Sequence, residues 1–466
     1  MPELTIETTS IPGLLVLRLP LHEDARGWFK ENWQREKMIR LGLPDFRPVQ
    51  QNVSFNLRRG VTRGIHAEPW DKFVSLAAGR VLAAWVDLRE GPTFAATHHM
   101  EMDPATAVFI PRGIGNGYQA LEDATSYSYL VNDHWRAGEA YPALALDDPT
   151  ADIPWPIPLD QAEVSDKDRH NPTLDSVSPV PRKRTLILGG DGQLGRALQR
   201  AFPTADRVDR PHLDLTDASQ VASWPWHEYE LVLNAAAYTA VDQAETAEGR
   251  GEAWRVNAHA PATLATQAQQ RGFTLVHYST DYVFEGTAPT HREDQPLSPL
   301  GVYGQTKAAG DLAVASLHKH YVIRTSWLVG DGHNFVRTMA GLAAAGRNPS
   351  VVDDQVGRLT FAHELARATV HLLDSGAPYG TYNCTNAGPP TTWANVARQV
   401  FEHCGRSADD VTSISTAEYA AGKSLAPRPA SSVLDLSKLE GTGFQPEDAT
   451  EALHRYVERL STSGDS

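Results

Sequence analysis

The chain has 466 residues, 41% of them hydrophobic and 21% charged, and a net charge of −15 from 42 Lys and Arg against 57 Asp and Glu. Such a length predicts about two to four domains, since one hydrophobic core rarely grows past roughly 250–300 residues, and the composition excludes a wholly disordered chain, a collagen and a coiled coil. The acidic balance disfavours a nucleic-acid partner, but not a small anion held by backbone N–H groups and a few arginines.

No run approaches the roughly 18 apolar residues of a membrane helix, so no membrane partner is expected. The opening MPELTIETTSIPG has neither the basic start nor the apolar stretch of a signal peptide. Two cysteines, Cys384 and Cys404, cannot build a disulfide framework or a Cys-rich zinc site. A reducing cytoplasm is the expected compartment.

Up to about residue 175, short apolar strands alternate with Gly/Pro turns: VSLAAGRVLAAWVDLR, then ATAVFIPRG, then ATSYSYLV. Few stretches keep a helical period, so residues 1–175 predict an all-β barrel or jelly roll. Arg26, in DARGWFKE, and Arg63, with Arg58 and Arg59 nearby, are cationic forks suited to a diphosphate. For Arg58 and Arg59 a solvated basic edge is the preferred reading. A lone histidine is usually structural, but His66 has company: Lys72, Tyr129 on a later strand, and the acidic stretch SDKD ending at Asp168. His98 and His99 are strand neighbours that face opposite sides, so they are read as surface and edge residues. No cluster in either half is read as a metal site.

Residues 176–183, within the Ser- and Pro-rich DSVSPVPRKR, predict a linker. From 184 to 466 strand-like and helical runs alternate, which predicts a doubly wound parallel sheet, the Rossmann architecture. Directly after the strand RTLIL comes GGDGQLG, with Gly189, Gly192 and Gly195 at the turn into a helix. Glycines there permit the turn and let backbone approach a pyrophosphate at the helix N-terminus. Asp209 follows a second short strand, where an acid can bond an adenosine ribose, although simple loop charge fits equally. Its neighbour Arg210 could instead hold a 2′-phosphate, so the choice between NADH and NADPH stays open.

Tyr303 and Lys307 lie four apart on a predicted helix, on one face. An ammonium beside a phenol is expected to lower the phenol pKa from about 10, and a phenol so tuned can pass a proton to a carbonyl oxygen. Thr280, at the end of the strand in HYSTDYVF, would add a third contact to the same oxygen.

The segments GGDGQLG, LVLNAAAYTAVDQAE, HYSTDYVFEG, YGQTK, RTSWLVG, VVDDQVG and RPASSVLD resemble, in order, the dTDP-4-dehydrorhamnose reductase family of extended short-chain dehydrogenase/reductases. The resemblance spans about 184–460. It implies that Thr280, Tyr303 and Lys307 are catalytic, that Gly192, Gln193, Leu194, Asp214, Leu215, Ala237, Tyr238 and Thr239 line the dinucleotide, and that Asp281 and Trp327 touch the sugar nucleotide. One departure is Arg358-Leu359-Thr360, where the family usually has a small residue and Pro-Thr.

DARGWFKE, QQNVS, GVTRGIH, VDLREGPTF, IPRGIGNGYQAL, YLVNDHW, IPWP and SDKD resemble the dTDP-4-dehydrorhamnose 3,5-epimerase family, small cupin-type jelly rolls. That resemblance implies His66 as the base beside a ketone, Asp168 as its orienting carboxylate, Lys72 as the enolate's partner and Tyr129 as proton donor from the opposite face. Arg26, Glu31, Gln50, Asn52 and Arg63 would hold the nucleotide. Gly115-Asn116-Gly117-Tyr118 replaces the usual Ala-His-Gly-Phe, so Asn116 stands as a substrate contact where an imidazole is usual. Trp135 replaces a Tyr that stacks on thymine, and Ala67-Glu68 replaces Tyr-Gln.

Together the resemblances imply two consecutive reactions: 3,5-epimerisation of dTDP-4-keto-6-deoxy-D-glucose, then reduction of the C4 ketone by NADPH or NADH to dTDP-L-rhamnose. Alternatives are a barrel that epimerises only C5 or takes another dTDP-deoxysugar, and a non-catalytic binding or dimerisation barrel. A homodimer through the cupin-type domain is expected.

Overall fold

In this computed structural model, which describes residues 3–134 and 141–462, the chain divides between Arg182 and Lys183 into two units. The strands of the first unit are β1 (Thr5–Thr8), β2 (Leu15–Arg18), β3 (His22–Asp24), β4 (Gly27–Phe29), β5 (Gln50–Asn56), β6 (Val61–His66), β7 (Lys72–Ala78), β8 (Val81–Asp87), β9 (Thr97–Met102), β10 (Thr106–Ile110), β11 (Ile114–Ala120), β12 (Thr125–Val131) and β13 (Glu163–Val164). They form one sheet in the order β1-β2-β10-β7-β12-β5 and another in the order β13-β6-β11-β8-β9. All pairs in these two sheets are antiparallel except β13 with β6. The predicted jelly roll is thus a two-sheet sandwich.

The core between the sheets joins Val16, Val74, Leu76 and Val108 of one wall to Val81, Ala83, Trp85 and Tyr118 of the other. β8 reads VLAAWVD and is buried along its whole length. Its second face meets another apolar cluster, in which Val86 and Leu88 meet Leu144 and Leu146 of the segment between β12 and β13; a strand covered on both faces loses the usual polar alternation.

Of residues 176–183, expected as a linker, 176–182 belong to this unit. Val180 N–H donates to Leu88 O at 2.7 Å, Glu90 N–H donates to Val180 O at 2.9 Å, and Arg182 Nε donates to Glu90 O at 3.0 Å. Val177 and Val180 add apolar anchors, which is why a segment of linker composition is not free here.

The second unit carries a parallel sheet of β14 (Arg184–Leu188), β15 (Asp206–Val208), β16 (Tyr229–Asn234), β17 (Thr274–Thr280) and β18 (His320–Thr325), in the order β15-β14-β16-β17-β18 followed by Gly380–Asn383. Period-two alternation splits each strand between two cores. Ile187, Leu233, Val276 and Ile323 face the helices Gln193–Ala201 and Ala362–Asp374. Leu186, Val232, Leu275 and Val322 face Leu264 and Val314 on the other side. A third cluster binds the helices Phe335–Ala344, Trp393–His403 and Ala449–Thr462 into a lobe beside the sheet. No helix among the described residues is long and apolar enough to cross a membrane.

Candidate active sites

His66 ends β6 with its Nε2 2.7 Å from Asp168 Oδ1. Asp168 is buried on a short helical turn, where its other oxygen accepts the Gly64 N–H at 3.3 Å. Burial would push this carboxyl up, but the His66 ring, the Gly64 N–H and the Ser165 hydroxyl together hold it below its usual range. The pair is that of an oriented imidazole base.

The opposite sheet supplies Lys72, at the start of β7, and Tyr129, on β12. Lys72 is buried, forms a hydrogen-bonded ion pair with Glu68, and holds its ammonium 5.9 Å from the Tyr129 ring centroid. Burial raises the Tyr129 phenol, and the Glu68 carboxylate adds to that, so it stays protonated at neutral pH. The base and the phenol therefore come from facing walls of the sandwich.

Asn116 sits opposite His66 in register, and its Oδ1 accepts the Tyr127 hydroxyl at 3.2 Å. Tyr127 stacks on Tyr118 at 4.1 Å, and Tyr118 and Arg63 both reach Asn56 Oδ1, at 3.3 and 3.0 Å. Gln50 donates to Asn52 at 2.9 Å, and Asn52 lies opposite Tyr129. Arg26 and Glu31 are not gathered with these groups: Arg26 pairs with Asp24 on the β3–β4 hairpin and Glu31 with Lys37. Trp135 lies outside the described residues. His98 stacks on Trp85 at 5.9 Å, and its strand β9 is the edge of its sheet.

In the second unit Gly189 has φ +74 and lies so close to Ala236 that a Cβ would meet its N at 2.6 Å. Gly192 caps the helix Gln193–Ala201, which has no side-chain cap, so its first N–H groups are available to an anion. Gly195 packs against the backbone of Gly189 and Gly190. This cradle fits a dinucleotide pyrophosphate. Gln193 ties it to the loop beyond Trp327, accepting the Gly330 N–H at 2.8 Å and donating to His333 O at 3.1 Å.

Several expected dinucleotide contacts have other employment. The Leu194 side chain is in the core, which leaves its backbone for a ligand. Both oxygens of Asp209 accept the Asp191 N–H at 3.1 Å, and Arg210 pairs with Glu252. Asp214 accepts the backbone and hydroxyl of Thr216, which holds its carboxyl below the usual range, while Leu215 packs on the core. Tyr238 is braced by Asn257, which accepts its N–H and donates to its carbonyl. Ala237 and Thr239 flank it on the exposed turn after β16.

Thr280, Tyr303 and Lys307 converge at the carboxyl end of β17 and on the helix Val302–Ala315. Lys307 is only 2% exposed. Its Nζ donates to Tyr278 O at 2.7 Å and to His277 Nε2 at 3.3 Å. The expected lowering of the Tyr303 pKa is not found. Burial pushes the phenol up, Asp281 and Tyr282 push further, and the Thr280 hydroxyl offsets part of the rise. With its ammonium engaged by Tyr278 and His277, Lys307 does not overcome that cost. Burial also lowers Lys307 to about 8 and raises Asp281 to about 6.

Asp281 Oδ1 accepts the Thr280 hydroxyl at 2.9 Å. Trp327, with φ +44, stacks on Trp393 at 3.8 Å and covers Gly357, where a Cβ would meet the indole at 2.7 Å. At the Pro-to-Leu departure, Leu359 is buried and its carbonyl accepts the Asn386 N–H at 3.2 Å, while Arg358 Nε donates to Gly388 O at 2.9 Å. Packing and these bonds shape the loop that proline would otherwise stiffen.

One group among the described residues has metal-ligand spacing: His363, Glu364 and Glu447, with ligand atoms within 4.8 Å of one another. Its carboxylates are engaged by Arg367 and Arg455. Glu68, Asn56, Tyr127, Asn234, His277 and Asn257 were not predicted as site residues. Only Glu68 left a signal in the sequence, an acid four residues before Lys72.

Comparison with known proteins matches residues 8–176 to a family model described as dTDP-4-dehydrorhamnose 3,5-epimerase, and residues 183–462 to one described as RmlD substrate binding domain. The first half is 47% identical over 184 residues to the "Protein RmlC homolog" of Streptococcus pyogenes serotype M6, covering 38% of this chain and 92% of that protein. The chain joins both families. Its reductase half is 40% identical over 283 residues to a dTDP-4-dehydrorhamnose reductase of Streptomyces griseus, covering 58% of this chain and 91% of that protein. The crystal structure of a dTDP-4-dehydrorhamnose reductase from Bacillus anthracis in complex with NADP is 35% identical, with a TM-score of 0.55, covering 59% of this chain and 99% of that one.

Proposed function

We propose that this chain is a bifunctional enzyme of dTDP-L-rhamnose biosynthesis. Its epimerase half inverts C3 and C5 of dTDP-4-keto-6-deoxy-D-glucose, and its reductase half reduces the C4 ketone with NADPH or NADH. The observation that carries this reading is the pair of facing groups in the barrel: a carboxylate-held imidazole on one sheet, a protonated phenol on the other.

In the first reaction His66 removes the proton next to the ketone, with Asp168 fixing the ring and stabilising the imidazolium. Lys72 steadies the enolate oxygen, and Tyr129 returns a proton from the other face, which inverts the centre. Asn52, Gln50 and Arg63 line the route to the nucleotide. Glu68, against Lys72, sets where the ammonium sits.

In the second reaction the glycine cradle and the uncapped helix end hold the dinucleotide, which supplies hydride when bound. Arg207, whose stem packs along Gly190 and which pairs with Asp191, and Arg210, which pairs with Glu252, bring two guanidiniums to the segment that follows the second strand. With Asp209 committed to the loop N–H, that supports a 2′-phosphate and hence NADPH. Tyr303 gives its proton to the C4 oxygen, and Thr280 bonds the same oxygen by turning its hydroxyl from Asp281 Oδ1. A phenol pushed up by burial is fully protonated at neutral pH, as a proton donor requires. Asp281 and Trp327 are proposed sugar-nucleotide contacts.

A homodimer through the epimerase half is supported by its exposed edge strand β5, where Val53 and Phe55, with Val49 and Leu57 just beyond its ends, form an apolar row. Sedimentation would show a dimer; a monomer at micromolar concentration would remove this element. Two unpaired cysteines support the cytoplasm as compartment.

Incubation with the ketosugar in D₂O without nicotinamide tests the first reaction. Deuterium at both C3 and C5 is expected. Label at C5 alone would establish a single-centre epimerase, a reading that Asn116 in place of imidazole motivates, and no label would make the barrel a binding module. Addition of NADPH should then yield dTDP-L-rhamnose.

A further inference from the structure

We propose that His277 is a positioning residue for the reduction: a neutral imidazole, oriented by Asn234, that holds the Lys307 ammonium in place through its Nε2. None of these bonds reaches a substrate, so His277 acts only through Lys307. The inference rests on the assignment of Tyr303 and Lys307 to the reduction.

The argument is one of donors and acceptors. His277 lies on β17 and is fully buried. An ammonium has protons to give and no lone pair, so the 3.3 Å contact from Lys307 Nζ requires an unprotonated Nε2. Burial, reinforced by Lys307, holds the ring well below its usual pKa, so it carries one proton, and that proton sits on Nδ1. Nδ1 lies 3.1 Å from the Asn234 amide at the end of β16. An Nδ1–H needs an oxygen there, so Asn234 presents its carbonyl to the ring. The amide oxygen otherwise stands buried without a partner.

The outcome is a chain from Asn234 Oδ1 through the imidazole to the ammonium, with Tyr278 O accepting a second ammonium proton at 2.7 Å. With two acceptors fixed, Lys307 keeps one N–H for the reduction. The other titratable groups around this helix include Asp281 and Tyr282 in the turn after β17, with the Tyr282 ring against Tyr303, Tyr278 on β17, Arg324 on β18 pairing with Asp311, Tyr303 and Asp311 on the helix itself, and Glu245 bonding the Val302 N–H. Of these only Asp311 raises Lys307, against the burial that lowers it.

The test uses the full chain, whose epimerase half serves as internal control for concentration and integrity. ¹⁵N-histidine NMR, with His277 assigned by its loss in His277→Gln, should show a neutral Nδ1–H tautomer from about pH 6 to about pH 7.5, below the Lys307 value of about 8, where the ammonium has no lone pair to offer. An Nε2–H tautomer or an imidazolium in that window overturns the proposal. In kinetics, His277→Phe should lower kcat for reduction by about 10–100-fold, with KM for the ketosugar little changed. Its alkaline limb should move to lower pH, because the ammonium loses an acceptor. His277→Gln, which keeps an acceptor oxygen, should recover part of both. Equal loss in the two variants with an unmoved limb would mean a packing role only and overturns the proposal. So would unchanged kcat and limb in His277→Phe. Reduction retained by Tyr303→Phe would strike the Tyr303 assignment instead, and the tautomer still decides the His277 contact.

Discussion

The barrel keeps its chemistry between two facing sheets, with the base half-buried, and the reductase keeps it inside a packed sheet-and-helix layer. The His66 side chain is 32% exposed, and its site is organised by opposed pairs, His66 with Asp168 and Lys72 with Glu68. Thr280 and Lys307 are 7% and 2% exposed, and Tyr303 is raised chiefly by desolvation. The two sites thus solve different proton problems. Removing a proton beside a ketone needs an oriented base and an oriented cation for the enolate, which the two side-chain pairs supply. Reducing a ketone needs a donor that never loses its proton early, which burial supplies. A phenol serves in both halves, and in both it is held protonated.

The sharpest break of this comparison is separation of the activities. His66→Ala should lower deuterium exchange at C3 and C5 by about 10⁴-fold, the upper range for a lost general base, and leave reduction of supplied dTDP-4-keto-L-rhamnose unchanged. Tyr303→Phe should do the reverse, with about 10²–10³-fold slower NADPH oxidation and normal exchange. Loss of both activities in either variant would mean that the halves are not independent.

Smaller effects separate pairing from burial. Glu68→Gln should slow exchange about tenfold, less than the roughly 10²–10³ expected for a direct oxyanion donor, because the carboxylate acts through Lys72. It should also move the alkaline limb of exchange to lower pH, since Glu68 helps keep the Tyr129 phenol protonated. For reduction, Lys307 is charged below its value of about 8 and neutral above it. Turnover should therefore hold below pH 8 and fall as pH rises through that value, read by stopped-flow absorbance. The mildest expectation concerns the join: residues 1–182 and 183–466 expressed apart should each keep their own rate to within about twofold, with any loss confined to transfer of the intermediate.

The sequence made both folds legible for the same reason. Strand-turn texture before about 180 and strand-helix alternation after it are period signals, and the buried faces follow them. Its chemistry was legible where a motif is short and local, as in GGDGQLG or Tyr303 with Lys307. It was not legible where a partner comes from a distant strand. Asn234 and His277 are far apart in sequence and meet because β16 and β17 are parallel neighbours with those two residues in register. The misjudged phenol has the same root: helix spacing set Tyr303 beside Lys307, but desolvation and the Tyr278 carbonyl are tertiary facts.

The docking of residues 176–182 has a practical side. A Ser- and Pro-rich stretch between two enzymes is where one would aim a protease to part them, yet Val180 and Arg182 are fastened to the barrel by main-chain and guanidinium bonds. Cleavage there must wait for local unfastening. Mild digestion should spare this seam, and an engineered cleavage sequence belongs after Arg182, not among the prolines.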